Sequence, residues 1–257
     1  MDYFRWIINL FTTSPLPLST HALGILQISW FGMSALCWLV VYALCMYRGF
    51  KDKVVAMPLI ALCLNFGWEF TMSFIYLKET LPAEHIMFRL WVLFDCVLVV
   101  QEFMYGRQDW IHIFPNLKRR SHYTMVTVGL ILGFAFTYMS VPAWNDYHNA
   151  MYAAVIMNII MSWLFISTFA NRRATGQALA GQDFWIALMK FLGTDIFGGL
   201  TWAFMVTPAT PMNVGVDPFK NYLAVVCVIP DVVYLYLLIQ EYKREGLSIW
   251  TRKPLHQ

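Results

Sequence analysis

Seven apolar runs of about 20 residues, each long enough to cross a bilayer core as a helix, set the terms on which this chain can fold. They lie at His21–Tyr47, Val54–Leu77, Ile86–Tyr105, His122–Val141, His148–Ala170, Phe184–Thr207 and Asn221–Gln240. Tyr47, Tyr105, Trp110, Trp144, Trp185 and Tyr222 crowd their ends, as the aromatic belts of membrane interfaces do. With 59% apolar and 13% charged residues, a soluble core of this size could not bury the apolar surface, so lipid is the expected solvent.

The loops then fix an orientation. Arg48, Lys51 and Lys53 follow span one, and Arg107, Lys118, Arg119 and Arg120 follow span three. Arg172 and Arg173 follow span five, and Lys243, Arg244, Arg252 and Lys253 follow span seven. These hold 13 of the 18 basic residues; the opposite side has Arg5, Lys78 and Lys220, with Arg89 and Lys190 inside spans three and six. The positive-inside rule puts the C-terminus in the cytoplasm and the N-terminus outside or in a lumen, which an odd number of spans requires. Asp2–Phe11 reads as a short interfacial helix, ended by Ser14-Pro15-Leu16-Pro17 rather than by a signal-peptide cleavage site. The expectation is an all-α polytopic protein forming one transmembrane domain over residues 1–257.

Inside the spans stand four acids, Glu69, Asp95, Asp195 and Asp231. Counting about 1.5 Å per residue from the outer ends puts them about 12, 14, 18 and 15 Å deep. Asn65 and Asn158 belong to the same layer. Facing lipid, such a layer would be prohibitive, so the economical arrangement turns it inward to line one polar pocket. Any one acid could instead be interhelical glue, but four at one level favour a site. Asn65 and Glu69 are four apart and share a helix face, with Gly67 between them leaving room for another helix. Trp91 and Asp95 are also four apart. Pro230 precedes Asp231 and should kink span seven, and Tyr234 is one turn on, within reach of Asp231 or a ligand. Arg89 near the outer mouth could pair with an acid or snorkel to the interface. Trp68, Trp91, Trp163, Trp202, Phe70, Phe94, Phe191 and Phe197 are candidates to line the pocket, where aromatic faces would stabilise a cation.

Several classes fall away. There is no DxDD or DDxxD motif, and no paired-Asp motif of intramembrane prenyltransferases. The six His form no His box, and the five Cys form no CxxC pair, so no metal site is indicated. Span seven lacks a Lys for retinal, and Pro-Gln pairs of sugar carriers are absent. A net charge of +3 without a basic run gives no reason to expect nucleic acid.

On Asn65-Phe66-Gly67-Trp68-Glu69 in span two, Arg89-Leu90-Trp91 with Asp95 in span three, and Asp231 with Tyr234 in span seven, the chain resembles the integral-membrane terpene cyclases of fungal meroterpenoid and indole-diterpene biosynthesis, which have bacterial relatives. The resemblance implies that Glu69 and Asp231 are the catalytic acids, with Asp195 competing for the second place. It implies cyclisation of a prenyl chain on an aromatic or polyketide headgroup, commonly after epoxidation of the terminal double bond. The residues agree with such chemistry: a buried, undissociated carboxyl can protonate an epoxide or alkene, and a dry interior protects the carbocation. Asn65, Trp68, Trp91, Asp95, Asp195, Tyr234, Arg89 and Asn158 are the expected supporting residues. No cofactor is expected. The expected partners are a lipophilic prenylated substrate, the bilayer and other enzymes of a pathway. The location would be the endoplasmic reticulum in a fungus or the plasma membrane in a bacterium. Midplane carboxyls also suit a proton-coupled small-molecule transporter, the rival reading.

Overall fold

The computed structural model describes residues 20–76, 82–147, 150–199 and 218–255, and among these the chain is helical. We number its helical regions α1 (Thr20–Asp52), α2 (Leu59–Phe74), α3 (Pro82–Gln101), α4 (Arg119–Trp144), α5 (Met151–Ala174), α6 (Phe184–Phe191) and α7 (Pro218–Arg244). α3 is prolonged by a π-helical stretch, Glu102–Gly106, and a last turn, Arg107–Ile111. α6 runs on into a second π-helical stretch, Leu192–Gly199. The helices fall at the seven apolar runs. Four are long and apolar enough to cross a membrane, namely Ser29–Asp52 within α1, α4, α5 and Asn221–Arg244 within α7; α2 is apolar but has 16 residues. The expected interfacial helix at Asp2–Phe11, and Trp202, lie outside the described residues.

Local signals set the helix ends. Asp183 caps α6, its carboxylate accepting from the Trp185 backbone N–H at 2.9 Å. Asn145 closes α4 in the left-handed conformation at φ 51°. α7 continues as helix through Pro230.

The helices pack in a circuit. α2 packs on α3, α3 on α1, α1 on α6 and its π-helical extension, α6 on α7, α7 on α5, and α5 back on α2. α4 lies outside this circuit against α2. That contact is close because small residues meet: a Cβ on Gly67 would stand 2.2 Å from the Gly133 carbonyl carbon, and one on Gly133 would stand 1.9 Å from the Cys63 carbonyl oxygen. Gly67 thus admits a neighbouring helix, as its place between Asn65 and Glu69 led us to expect.

At one end of the bundle, basic residues tie the helix ends together. The Arg172 guanidinium, at the end of α5, donates to Asp109 Oδ2 at 2.6 Å, to the Val55 carbonyl at 2.7 Å and to the Ala180 carbonyl at 2.7 Å. Arg48, near the end of α1, pairs with Asp183 before α6. Arg252, beyond α7, donates to the Leu179 carbonyl at 2.7 Å. The ends of α1, α3, α5 and α7 therefore converge on one layer.

Candidate active site

The acids predicted to share one pocket divide into two polar clusters, one built by α1, α2 and α3 and the other by α5, α6 and α7. The first centres on Asn65. Its Nδ2 donates to Glu69 Oε1 at 3.0 Å and to Asp95 Oδ2 at 3.1 Å, and also contacts the Tyr42 hydroxyl. Tyr42 in turn donates to Glu69 Oε1. All four side chains are buried, Glu69 at 2% and Asp95 at 0% exposure. Helical spacing brings Asn65 under Glu69, and α1 and α3 supply Tyr42 and Asp95 from either side. No Lys or Arg among the described residues pairs with either acid. Glu69 Oε2, Asp95 Oδ1 and the indole Nε1 of Trp91, one turn from Asp95, are buried without a hydrogen-bond partner among the described residues. Such orphans are costly in an apolar interior and mark places where a further polar group would be accommodated.

Aromatic side chains wall this cluster. Phe94 lies 5.7 Å from the Tyr42 ring, and Trp38 6.0 Å from it. Trp68 is buried, edge-on to Phe88 at 5.2 Å, and its indole N–H donates to the Ala150 carbonyl at 3.2 Å.

The second cluster is an ion pair. Lys190 on α6 is completely buried, and its Nζ donates to Asp231 Oδ1 at 2.8 Å, Asp231 Oδ2 at 2.7 Å and Ser162 Oγ at 2.6 Å. Ser162 donates to the Asn158 carbonyl at 2.7 Å, and Thr194 Oγ1 lies 3.5 Å from Asn158 Oδ1. Asp195 lies beside this pair on the π-helical stretch, buried, next to Asp231 and Cys227. A π-helix widens the turn and frees carbonyl groups. Here Ser34 of α1 donates to the freed Gly193 carbonyl at 2.7 Å, and Gly193 permits the approach, since a Cβ there would stand 2.9 Å from Cys37 Cβ. α1 is thus the wall both clusters share, with Ser34 and Cys37 facing the second and Tyr42 completing the first.

Several expectations are corrected by this geometry. Among the described residues, no hydrogen bond or ion pair joins Glu69 to Asp231; each belongs to its own cluster. Tyr234 reaches away from Asp231 and donates to Gln182 in the segment before α6, because its hydroxyl extends toward the loop end of the helix. Arg89 is exposed and pairs with no acid among the described residues, which fits the snorkelling alternative. Trp163 is 53% exposed, so it faces outward, one residue round the helix from inward Ser162. Phe70 packs against Phe66, Phe74 and Phe134 on the α2–α4 side rather than around the acids. Lys190, Tyr42 and Ser162 are the members that sequence reasoning missed. Lys190 carried a signal: a lone cation within an apolar span needs a buried acid. Tyr42 carried none among 13 tyrosines.

Residues 11–244 match the family model of Pyr4-like transmembrane terpene cyclases. The chain belongs to that family. It is 25% identical over 221 residues to the Pyr4-family terpene cyclase mfmH of Annulohypoxylon moriforme, covering 82% of this chain and 85% of that one. It is 24% identical over 222 residues to the terpene cyclase pyr4 of Aspergillus fumigatus, with the same coverage. Asnovolin H synthase nvfL of Aspergillus novofumigatus is 28% identical over 169 residues, 63% of this chain and 64% of that protein. No solved structure matches significantly. These matches make the chain an integral-membrane terpene cyclase by family, as its motifs indicated, and lend nothing to the transporter reading.

Proposed function

We propose that this cyclase starts a carbocation cyclisation by proton transfer from the Glu69–Asp95 dyad to the terminal epoxide or alkene of a prenyl chain. The observation that carries this reading is the sharing of Asn65 by two buried carboxyls with no counter-cation among the described residues. Two like charges in that setting repel each other and lack hydration, and keeping a proton between them relieves both. A dyad that shares a proton is a general acid, and the proton belongs to the pair rather than to one member. Tyr42 and Asn65 fix the Glu69 rotamer through Oε1, which leaves Oε2 free to face a substrate oxygen or carbon.

The reaction is an isomerisation. The proton adds to the epoxide oxygen as the C–O bond breaks, or to the terminal alkene carbon. Successive double bonds then close rings on the cation, and loss of a proton leaves an alkene. Trp38, Tyr42, Phe94, Trp68 and Trp91 offer π faces to the moving charge. Asp231 is a further carboxyl of the reaction, beyond the dyad, and Asp195 and Asn158 hold the α5–α7 side. The acid chemistry is metal-independent. The substrate is a lipophilic prenyl chain on an aromatic or polyketide headgroup, entering from the bilayer after an epoxidising enzyme has acted.

We also take all seven helical regions to cross the membrane, with the end gathered by Arg48, Arg172 and Arg252 in the cytoplasm. The convergence of the α1, α3, α5 and α7 ends supports this, because alternating helices place those ends on one side. In a fungal cell the membrane would be that of the endoplasmic reticulum, and in a bacterium the plasma membrane.

The test is to incubate membranes containing the protein with a terminally epoxidised farnesyl phenol. A product of unchanged mass, lost in both Glu69→Gln and Asp95→Asn, is expected. Full conversion by folded Glu69→Gln would remove the dyad from the reaction.

A further inference from the structure

We infer that Lys190 is a positioning residue that holds Asp231 as a carboxylate, which makes Asp231 the base that ends the cyclisation. This rests on the cyclase reading above and divides the labour between the two clusters. The argument is a count of protons. An ammonium has three donors, and at Lys190 they go to Asp231 Oδ1, Asp231 Oδ2 and Ser162 Oγ, at 2.8, 2.7 and 2.6 Å. Both Asp231 oxygens face the ammonium, which is the geometry of an ion pair with a carboxylate. The dyad on the other side of the bundle has two carboxyls and no cation. Of the two clusters, the first is suited to give a proton and the second to take one.

The same geometry keeps Lys190 from interfering. A free amine would attack a carbocation, but this nitrogen has no lone pair while it donates to all three acceptors. Its positive charge is offset by Asp231 and by neighbouring Asp195, so the cluster does not repel an approaching cation. The final step then balances. The C–H bond next to the last cationic carbon breaks, its electron pair becomes the new π bond, and the proton goes to an Asp231 oxygen. The proton given up by the dyad at the start is matched by the one taken at the end, so no oxidant or reductant enters and the mass is unchanged.

Ser162 completes the placement. It takes the third Lys190 hydrogen and passes its own to the Asn158 carbonyl on α5. The ion pair is therefore held between three helices, and the base keeps a fixed position relative to the folded chain.

The experiment uses the full-length protein in membranes and a terminally epoxidised farnesyl phenol, with the ratio of product isomers as the readout. Removing Lys190 alone leaves a buried carboxylate unpaired, which destabilises the fold. The double variant Lys190→Met/Asp231→Asn removes both charges and keeps the shape, so it tests the role where Lys190→Met fails to fold. Both are expected to consume the epoxide while the normal alkene falls to less than about a tenth of the product, replaced by other alkene isomers and water-trapped alcohol. Lys190→Arg, which keeps the cation, is expected to restore the normal alkene as the main product. If the double variant gives the wild-type isomer ratio, the inference is overturned. If the wild type itself leaves the probe unchanged, or if Glu69→Gln consumes it normally, it is the underlying reading that fails.

Discussion

Asn65 joins Glu69 to Asp95, its single amide nitrogen lying 3.0 Å from one carboxyl and 3.1 Å from the other. That amide is the polar group that holds two buried acids together across α2 and α3. Replacing it with Leu removes the bridge while keeping the bulk. The free carboxyls then lose a donor in an apolar setting, and the dyad's geometry opens. Turnover of the epoxidised probe should fall by about 10²-fold, the lower range for disrupting a positioned general acid. Asn65→Asp should do worse, since it places a third carboxyl among the two. The rates of purified, monodisperse variants check both expectations.

Tyr42 donates to the same Glu69 oxygen from α1. Tyr42→Phe keeps the ring beside Phe94 and removes only the hydroxyl. The loss of one hydrogen bond to a carboxyl oxygen costs about 1.5–3 kcal/mol where that oxygen is left unsatisfied. Asn65 still reaches Oε1, so the expected effect is smaller than that of Glu69→Gln: a drop of about tenfold in rate with little change in thermal stability. A variant that matched Glu69→Gln in rate would make Tyr42 a proton carrier rather than a support.

Much of this site is legible in the chain itself. Asn65 and Glu69 are four apart on one helix face, so spacing alone brings them together, and the depth count puts Asp95 at their level along with Asp195 and Asp231. The grouping of Asp231 with the dyad is not matched by contact, because equal depth says nothing about which side of a bundle a residue faces. Lys190 decides that, and a reading confined to acids passes over it. Tyr234 illustrates a second limit: one turn of separation gives proximity to Asp231, yet a long side chain follows its own rotamer, here toward Gln182. At Trp163 the span is right and the face is not, since one residue is about 100° of helix. The Gly129-x-x-x-Gly133 spacing on α4, by contrast, is a plain packing signal, and it explains why α4 sits against Cys63 and Gly67 of α2.

Gly67→Ala provides the packing test. Its new methyl would stand 2.2 Å from the Gly133 carbonyl carbon, which is backbone and cannot rotate away. α2 and α4 would have to separate, at a cost of about 1–3 kcal/mol. A lower unfolding temperature in detergent is expected, with reduced turnover because Asn65 and Glu69 flank the disturbed turn. Gly32→Ala is the control: a Cβ there meets nothing within 4 Å. It should leave stability unchanged or slightly higher, as the loss of glycine's backbone freedom favours the helix.

Arg172 makes the strongest claim on the end of the bundle where α1, α3, α5 and α7 converge, and its removal should show how far that end supports the site. Its guanidinium serves both Asp109 oxygens, at 3.0 and 2.6 Å, together with the Val55 and Ala180 carbonyls, and it is only 4% exposed. A planar fork of donors can satisfy acceptors on several sides at once, which an ammonium on a flexible stem cannot. Arg172→Ala would strand two carbonyls and a carboxylate, and a loss of about 3–5 kcal/mol is expected for an ion pair broken at a buried residue. Asp109 is more open than Arg172, at 34% side-chain exposure, so solvent would recover part of that and the lower end of the range is the better expectation. Arg172→Lys should recover less than half of it, because the ammonium can reach Asp109 or the carbonyls but not all of them. In both variants the product isomers formed by the folded fraction should match those of the wild type, since Arg172 joins helix ends and touches neither acid cluster. A shifted isomer pattern in Arg172→Lys would instead mean that the helix ends set the alignment of α5 with α6, and with it the placement of Lys190 against Asp231.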